Sequence, residues 1–196
     1  MSNASLSRYA GWSAIVSAIA TILGLVTLLI FFAQGEPWGT INDITSVILA
    51  ISLLPVLLML HRLHRRDTPN ISLAALIIGV IAMLVAAVFQ SLLIIKAISF
   101  AQTAILVPSA FGLFGVSLMV FGFLGLANAA LPRRLILLSI MAGAGYVLVI
   151  IGIIVGGQEH PLTAIGGLIA VIGYPIWAIW FSRLVLSGKV TIQSTG

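Results

Sequence analysis

Six long apolar stretches follow one another along the chain, most of them separated by short polar clusters. They run over 9–32, 41–60, 71–95, 105–127, 135–156 and 162–182. A helix needs roughly 20 apolar residues to cross about 30 Å of hydrocarbon, and each stretch is close to that length or beyond it. The runs are continuously apolar rather than alternating, which predicts helices and not the strands of a barrel. Five of the six contain no charged residue; the second carries only Asp43, in its first turn.

The breaks support the same division. "HRLHRRDTPN" ends the second span with charge and places Pro69 at the start of the third. "ALPRR" separates the fourth and fifth spans, and "GGQEHP" the fifth and sixth, with Pro161 suited to a first helical turn. The link "KAISFAQTA" between the third and fourth is itself apolar, so either the third span runs on or a short segment lies in the interface. The first stretch is longer than a signal-peptide core of roughly 7–15 residues and is expected to be a retained span.

Composition makes a bilayer necessary. The 196 residues are 61% hydrophobic and 7% charged, against about 25% charged in a soluble domain. The expected fold is therefore all-α: a single polytopic domain over 1–196, built as a bundle of six transmembrane helices. The chain has no cysteine, which excludes disulfides, thiolate metal sites and cysteine nucleophiles.

The distribution of charge predicts an orientation. Arg8, Arg62, Arg65, Arg66, Arg133, Arg134, Arg183 and Lys189 all fall on one side of a six-span chain. Lys96 falls on the other, with Glu36, Asp43 and Glu159. The positive-inside rule then puts both termini in the cytoplasm. The basic excess belongs to this asymmetry, and no nucleic-acid partner is implied. Tyr9 and Trp12 at one boundary, Trp38 at the other, and Trp177 with Trp180 before Arg183 are expected at headgroup level, where amphipathic rings sit well.

Lipid gives helices no hydrophobic reason to associate, so close packing must come from small residues. Three stripes qualify: Ser13, Ser17, Thr21 and Gly24; Gly112, Gly115, Gly122, Gly125 and Ala129; and Gly166, Ala170 and Gly173, continued by Trp177 and Trp180. They fit packing inside one bundle, and they also fit self-association or contact with other membrane subunits. Pro55 and Pro175 interrupt the second and sixth spans and bend them.

Candidate chemistry is sparse. His61 and His64 lie at one end and His160 at the other, so no facing pair is available for a haem. His61 and His64, among arginines, read as a basic anchor for anionic headgroups. No span offers paired carboxylates or a nucleophile with its base, and no catalytic residue, metal or cofactor is assigned. Gln90 is the most interesting polar residue: it lies within apolar sequence, where an amide needs a partner. The other candidates are at the outer face, where Glu36, Asn42, Asp43, Glu159 and His160 gather oxygen and imidazole groups without specific spacing.

In "EPWGTINDIT", Asn42 or Asp43 is expected to cap the second helix by accepting from a backbone N–H within the next three residues. If both instead face a cavity, capping is the wrong account and a functional one gains.

"WGTINDI" (Trp38 to Ile44) and "YPIWAIWFSRLVL" (Tyr174 to Leu186) resemble a group of uncharacterised six-span bacterial membrane proteins. The resemblance implies a bacterial inner (plasma) membrane protein and carries no activity or site residue with it. On the residues themselves, the first expectation is a structural, accessory or assembly bundle acting through contacts with lipid and membrane subunits. The alternative is a small transporter or channel for a neutral or apolar solute, and a weaker one is an enzyme acting on lipid. A cavity reaching Gln90 separates the first two.

Overall fold

The structure, a computed structural model, describes residues 2–190 and residue 192. It is helical throughout, with no strand among the described residues. Six long helices correspond to the six apolar runs: α1 (Asn3–Gln34), α2 (Trp38–His64), α3 (Pro69–Ile94), α5 (Leu106–Asn128), α6 (Arg133–Gly156) and α7 (Pro161–Leu186). The link between the third and fourth runs contains one turn of helix, α4 (Phe100–Thr103), opened by a capping box between Ser99 and Gln102. The helices exceed their apolar runs because the backbone continues helically through polar flanks. Their ends sit at special residues. Gly35 (φ 75°) closes α1, Ala129 (φ 52°) closes α5, Gly157 (φ 83°) closes α6, and Pro69 and Pro161 open α3 and α7.

The helices form a closed ring. In order α1, α2, α3, α5, α6, α7, each packs on the next, and α7 packs back on α1. Successive helices are antiparallel, so the basic residues share one end of the ring. Hydrogen bonds confirm that end: the Arg62 guanidinium donates to Asn3 Oδ1 (3.0 Å), His61 Nδ1 pairs with Ser72 Oγ (3.1 Å), and Asn128 Nδ2 pairs with His64 Nδ1 (2.8 Å). It is called the basic end below, and the opposite one the far end.

The outer surface of the ring is apolar. Ile19 is 52% exposed, Ile81 55% and Leu168 63%, and every long helix presents residues of this kind outward. Contiguous apolar surface on that scale is matched by hydrocarbon and not by water. Together with the six spanning lengths, it makes the chain a multi-pass integral membrane protein.

The small residues face inward. Ser17 and Thr21, Gly112, Gly115, Gly122 and Gly125, and Gly166, Ala170 and Gly173 are all buried. The closest approaches are backbone to backbone. A Cβ on Gly115 would lie 2.6 Å from the Gly143 carbonyl oxygen, and one on Gly145 would lie 2.6 Å from the Ala170 nitrogen. Only hydrogen fits at either place.

Two sequence expectations fail on this geometry. Trp177 is buried inside the ring and does not face the lipid, because it continues the Gly166–Ala170–Gly173 stripe and turns inward with it. His64 is not a headgroup anchor: it is fully buried, stacked on Phe121 (6.0 Å) and bonded to Asn128.

Candidate functional site

At the far end the ring does not fill its own axis. A cavity of about 300 Å³ remains, lined by side chains from all six long helices. Its walls are mostly apolar, from Leu25 and Leu28 on α1 through Leu49, Val107, Phe111 and Val149 to Val171 on α7. Two glycines enlarge it. Gly24 leaves room for Asn42, whose Oδ1 lies 3.7 Å from the place a Cβ would take. Gly167 faces open space, with nothing within 4 Å of its Cβ position.

Five polar side chains interrupt the apolar lining: Thr21, Asn42, Ser46, Gln90 and Tyr146. Thr21 is already satisfied, its hydroxyl donating to the Ser17 carbonyl (2.9 Å). The other four make no side-chain hydrogen bond to any described residue. Asn42 and Ser46 are one turn apart on α2, so they face the cavity together. Gln90 comes from α3 and is only 6% exposed. A buried amide normally has a partner; here the neighbouring helices supply none, and the open side of Gln90 is the cavity.

No charged side chain lines the space. Helix dipoles do not compensate, because three helices start and three end at this side of the ring and their terminal partial charges oppose one another. A charged solute would lose its hydration and gain no counter-ion, at a cost far above that of a neutral one.

Below the cavity, aromatic rings close the axis. Tyr146 stacks near Phe111 (6.2 Å, 18°) and meets Phe114 edge-on (5.6 Å, 76°). Phe114 meets Tyr174 edge-on (5.9 Å), Tyr174 touches Trp177 (5.9 Å), and Trp177 stacks on Phe181 (5.1 Å, 13°). The Tyr174 hydroxyl reaches across to Ser17 of α1. Packed aromatic rings therefore bound the space on the side of the basic end.

The predicted candidates separate into two groups. Gln90 and Asn42 meet at the cavity. Glu36, Asp43, Glu159 and His160 are not part of its lining. Glu36 has the role expected of Asn42 or Asp43: its Oε2 accepts from the Thr40 backbone N–H (3.2 Å) and hydroxyl (3.0 Å). The reason is register. α2 starts at Trp38, so Asn42 and Asp43 are already a turn inside the helix and the first free amides lie behind them. His160 caps α7, its Nδ1 accepting from the Leu162 N–H (3.3 Å). Glu159 is exposed and Asp43 half-buried. No group of three or more His, Asp or Glu residues comes together among the described residues.

Ser46, Tyr146 and Tyr174 were not singled out from sequence. Tyr146 and Tyr174 had a legible signal, as tyrosines placed within or against small-residue stretches far from the span ends. Compared with known proteins, the chain matches no family model, no curated protein and no solved structure.

Proposed function

We propose that this protein binds a small, neutral, largely apolar solute in the far-end cavity, as the first step of moving it across the membrane. One observation carries the reading: the side chain of Gln90 is largely buried, but its amide bonds to no protein group and opens on a cavity that all six long helices build. Asn42, Ser46 and Tyr146 add hydrogen-bonding groups for a polar head, and the apolar walls suit the rest. The volume would hold about ten waters at about 30 Å³ each, which limits the solute to a compact molecule. The aromatic floor argues against an open channel.

The reading extends to setting. The charge asymmetry supports a basic end in the cytoplasm, and so a cavity in the outer half of the membrane; the bacterial inner membrane is the setting that the resemblance implies. The accessory-subunit reading needs an exposed small-residue face. The larger part of each stripe seen in the sequence is instead used inside the ring, with Ser13 and Gly24 half-buried and Ala129 exposed.

The test is a thermal-shift screen of the detergent-purified protein against neutral amides, alcohols and phenols, with organic anions and cations as controls. Binders should raise the melting temperature of the wild type and leave a Gly167→Leu variant, whose side chain occupies the cavity, unmoved. If charged compounds shift both proteins as well as neutral ones do, the cavity is not a neutral-solute site.

A further inference from the structure

We infer that the basic-end half of the ring axis is a second, closed solute position, reached when the basic-end half of α7 swings away about Pro175. This inference rests on the cavity reading above and goes beyond it. It makes the protein a carrier with two alternating openings and not a one-sided receptor.

Polar atoms without partners are the first ground. Among the described residues, three buried side-chain atoms have no hydrogen-bond partner: His64 Nε2, Trp177 Nε1 and Ser182 Oγ. All three belong to the half of α2 or α7 that lies beyond the midpoint towards the basic end. The proton on His64 can be placed. Asn128 Oδ1 accepts from the Ala130 N–H (3.2 Å), so the Asn128 amide turns its NH2 towards His64 Nδ1. Nδ1 is then the acceptor, and neutral His64 carries its proton on Nε2. This arrangement thus buries two N–H donors and one hydroxyl without a protein partner among the described residues. Native interiors rarely do this without a functional reason. A state that admits water or a solute to this half would satisfy all three.

Hinges are the second ground, independent of the first. α2 and α7 are the two helices with an internal proline, Pro55 and Pro175. Pro175 has no N–H, so the carbonyl of Val171, one turn back on the cavity wall, loses its helical donor. The far-end half of α7 is pinned just before the proline, by Tyr174 to Ser17. The half after it, bearing Trp177 and Ser182, makes no such cross-helix side-chain bond among the described residues, and it meets α1 through Leu186 against Gly11. The chain therefore places a fixed point, a hinge and a set of unsatisfied groups in succession along one helix.

The native protein has no cysteine, so single thiols can be read without background. Ser182→Cys and Asn42→Cys variants are labelled with a membrane-impermeant maleimide in inside-out and right-side-out vesicles. The Ser182→Cys thiol should react from the basic face alone. Adding Pro175→Ala should slow that reaction by about tenfold, the change expected when a minor open state of a few per cent becomes tenfold rarer. The Asn42→Cys thiol should react from the far face, with or without Pro175→Ala. If Asn42→Cys reacts and Ser182→Cys does not, the second position is disproved and the cavity stands. If Ser182→Cys reacts at a rate that Pro175→Ala leaves unchanged, the hinge is disproved. If Asn42→Cys fails to react from the far face, the cavity reading itself falls. Should Ser182→Cys not fold, iodide quenching from the basic face reads Trp177 instead, in a chain carrying Trp12→Phe, Trp38→Phe and Trp180→Phe. Quenching there, reduced by Pro175→Ala, supports the inference, and its absence overturns it.

Discussion

Ser17 of α1 and Tyr174 of α7 are joined hydroxyl to hydroxyl at 2.5 Å, deep in the ring and 157 residues apart in sequence. The donor follows from the neighbours. Ser17 gives its one proton to the Ala14 carbonyl (2.9 Å), so Tyr174 donates and Ser17 accepts. This bond closes the ring between its first and last helices and sets the floor of the cavity.

Its two halves are not equivalent on mutation. Tyr174→Phe removes the donor, keeps the ring contacts, and leaves Ser17 bonded to Ala14; the expected cost is about 0.5–1.5 kcal/mol. Ser17→Ala leaves the Tyr174 hydroxyl buried without an acceptor, at about 1–3 kcal/mol. Thermal unfolding in detergent should therefore rank Ser17→Ala as the more damaging change. The reverse order would mean that the proton assignment is wrong.

Gln90 gives an opposite kind of result. Because its amide bonds to no protein group and opens on the cavity, Gln90→Met should leave stability unchanged or raise it, since no protein hydrogen bond is lost and an apolar side chain of similar shape packs against the apolar walls. Solute binding should weaken in the same variant by about 1–3 kcal/mol, the amount lost when a polar group in a buried site is left without its partner. Unfolding curves and titration with a binder from the screen check the two parts separately. A clear loss of stability would show that Gln90 bonds to a neighbouring helix after all.

Glycines on the same pair of helices should behave in contrasting ways. Gly167→Leu points into open space and should stay within about 0.5 kcal/mol of the wild type. Gly145→Ala forces a methyl against the Ala170 nitrogen and the Gly166 carbonyl of α7. Backbone cannot move aside as a side chain can, so about 1–3 kcal/mol should be lost. Melting temperatures of the two variants, measured side by side, make the comparison.

The pair at the basic end is also testable. Asn128→Leu leaves His64 Nδ1 buried without a donor and the Ala130 N–H without its acceptor, for an expected loss of about 1–3 kcal/mol. In the wild type, long-range nitrogen–proton correlation spectra of histidine-labelled protein should show His64 as the Nε2–H tautomer. A proton on Nδ1 would contradict the orientation of Asn128.

Much of the architecture was legible because it follows from local composition. Twenty apolar residues in succession need hydrocarbon wherever they end up, so the six spans could be counted without knowing how they meet. The stripe Gly166–Ala170–Gly173 marked the packed face of α7 because helical periodicity alone lines those residues up. Pro69 and Pro161 marked helix starts because the missing N–H is harmless there. The cap of α2 was misread for the opposite reason. Whether Asn42 or Glu36 accepts from a free amide depends on which residue begins the helix, and a shift of one turn reassigns it.

What the sequence by itself determined about this protein is its solvent, its span count, its charge asymmetry and its inward faces. Each depends on residues within a turn or two of one another. The tertiary structure alone decided that the helices close into a ring, that Ser17 meets Tyr174, and that His64 and Trp177 lie inside. It also decided that Asn42, Ser46, Gln90 and Tyr146 surround one cavity. These are relations between helices far apart in sequence. A polar side chain on a single helix does not reveal whether the space opposite holds a partner, lipid or nothing, and for Gln90 that difference is the functional one.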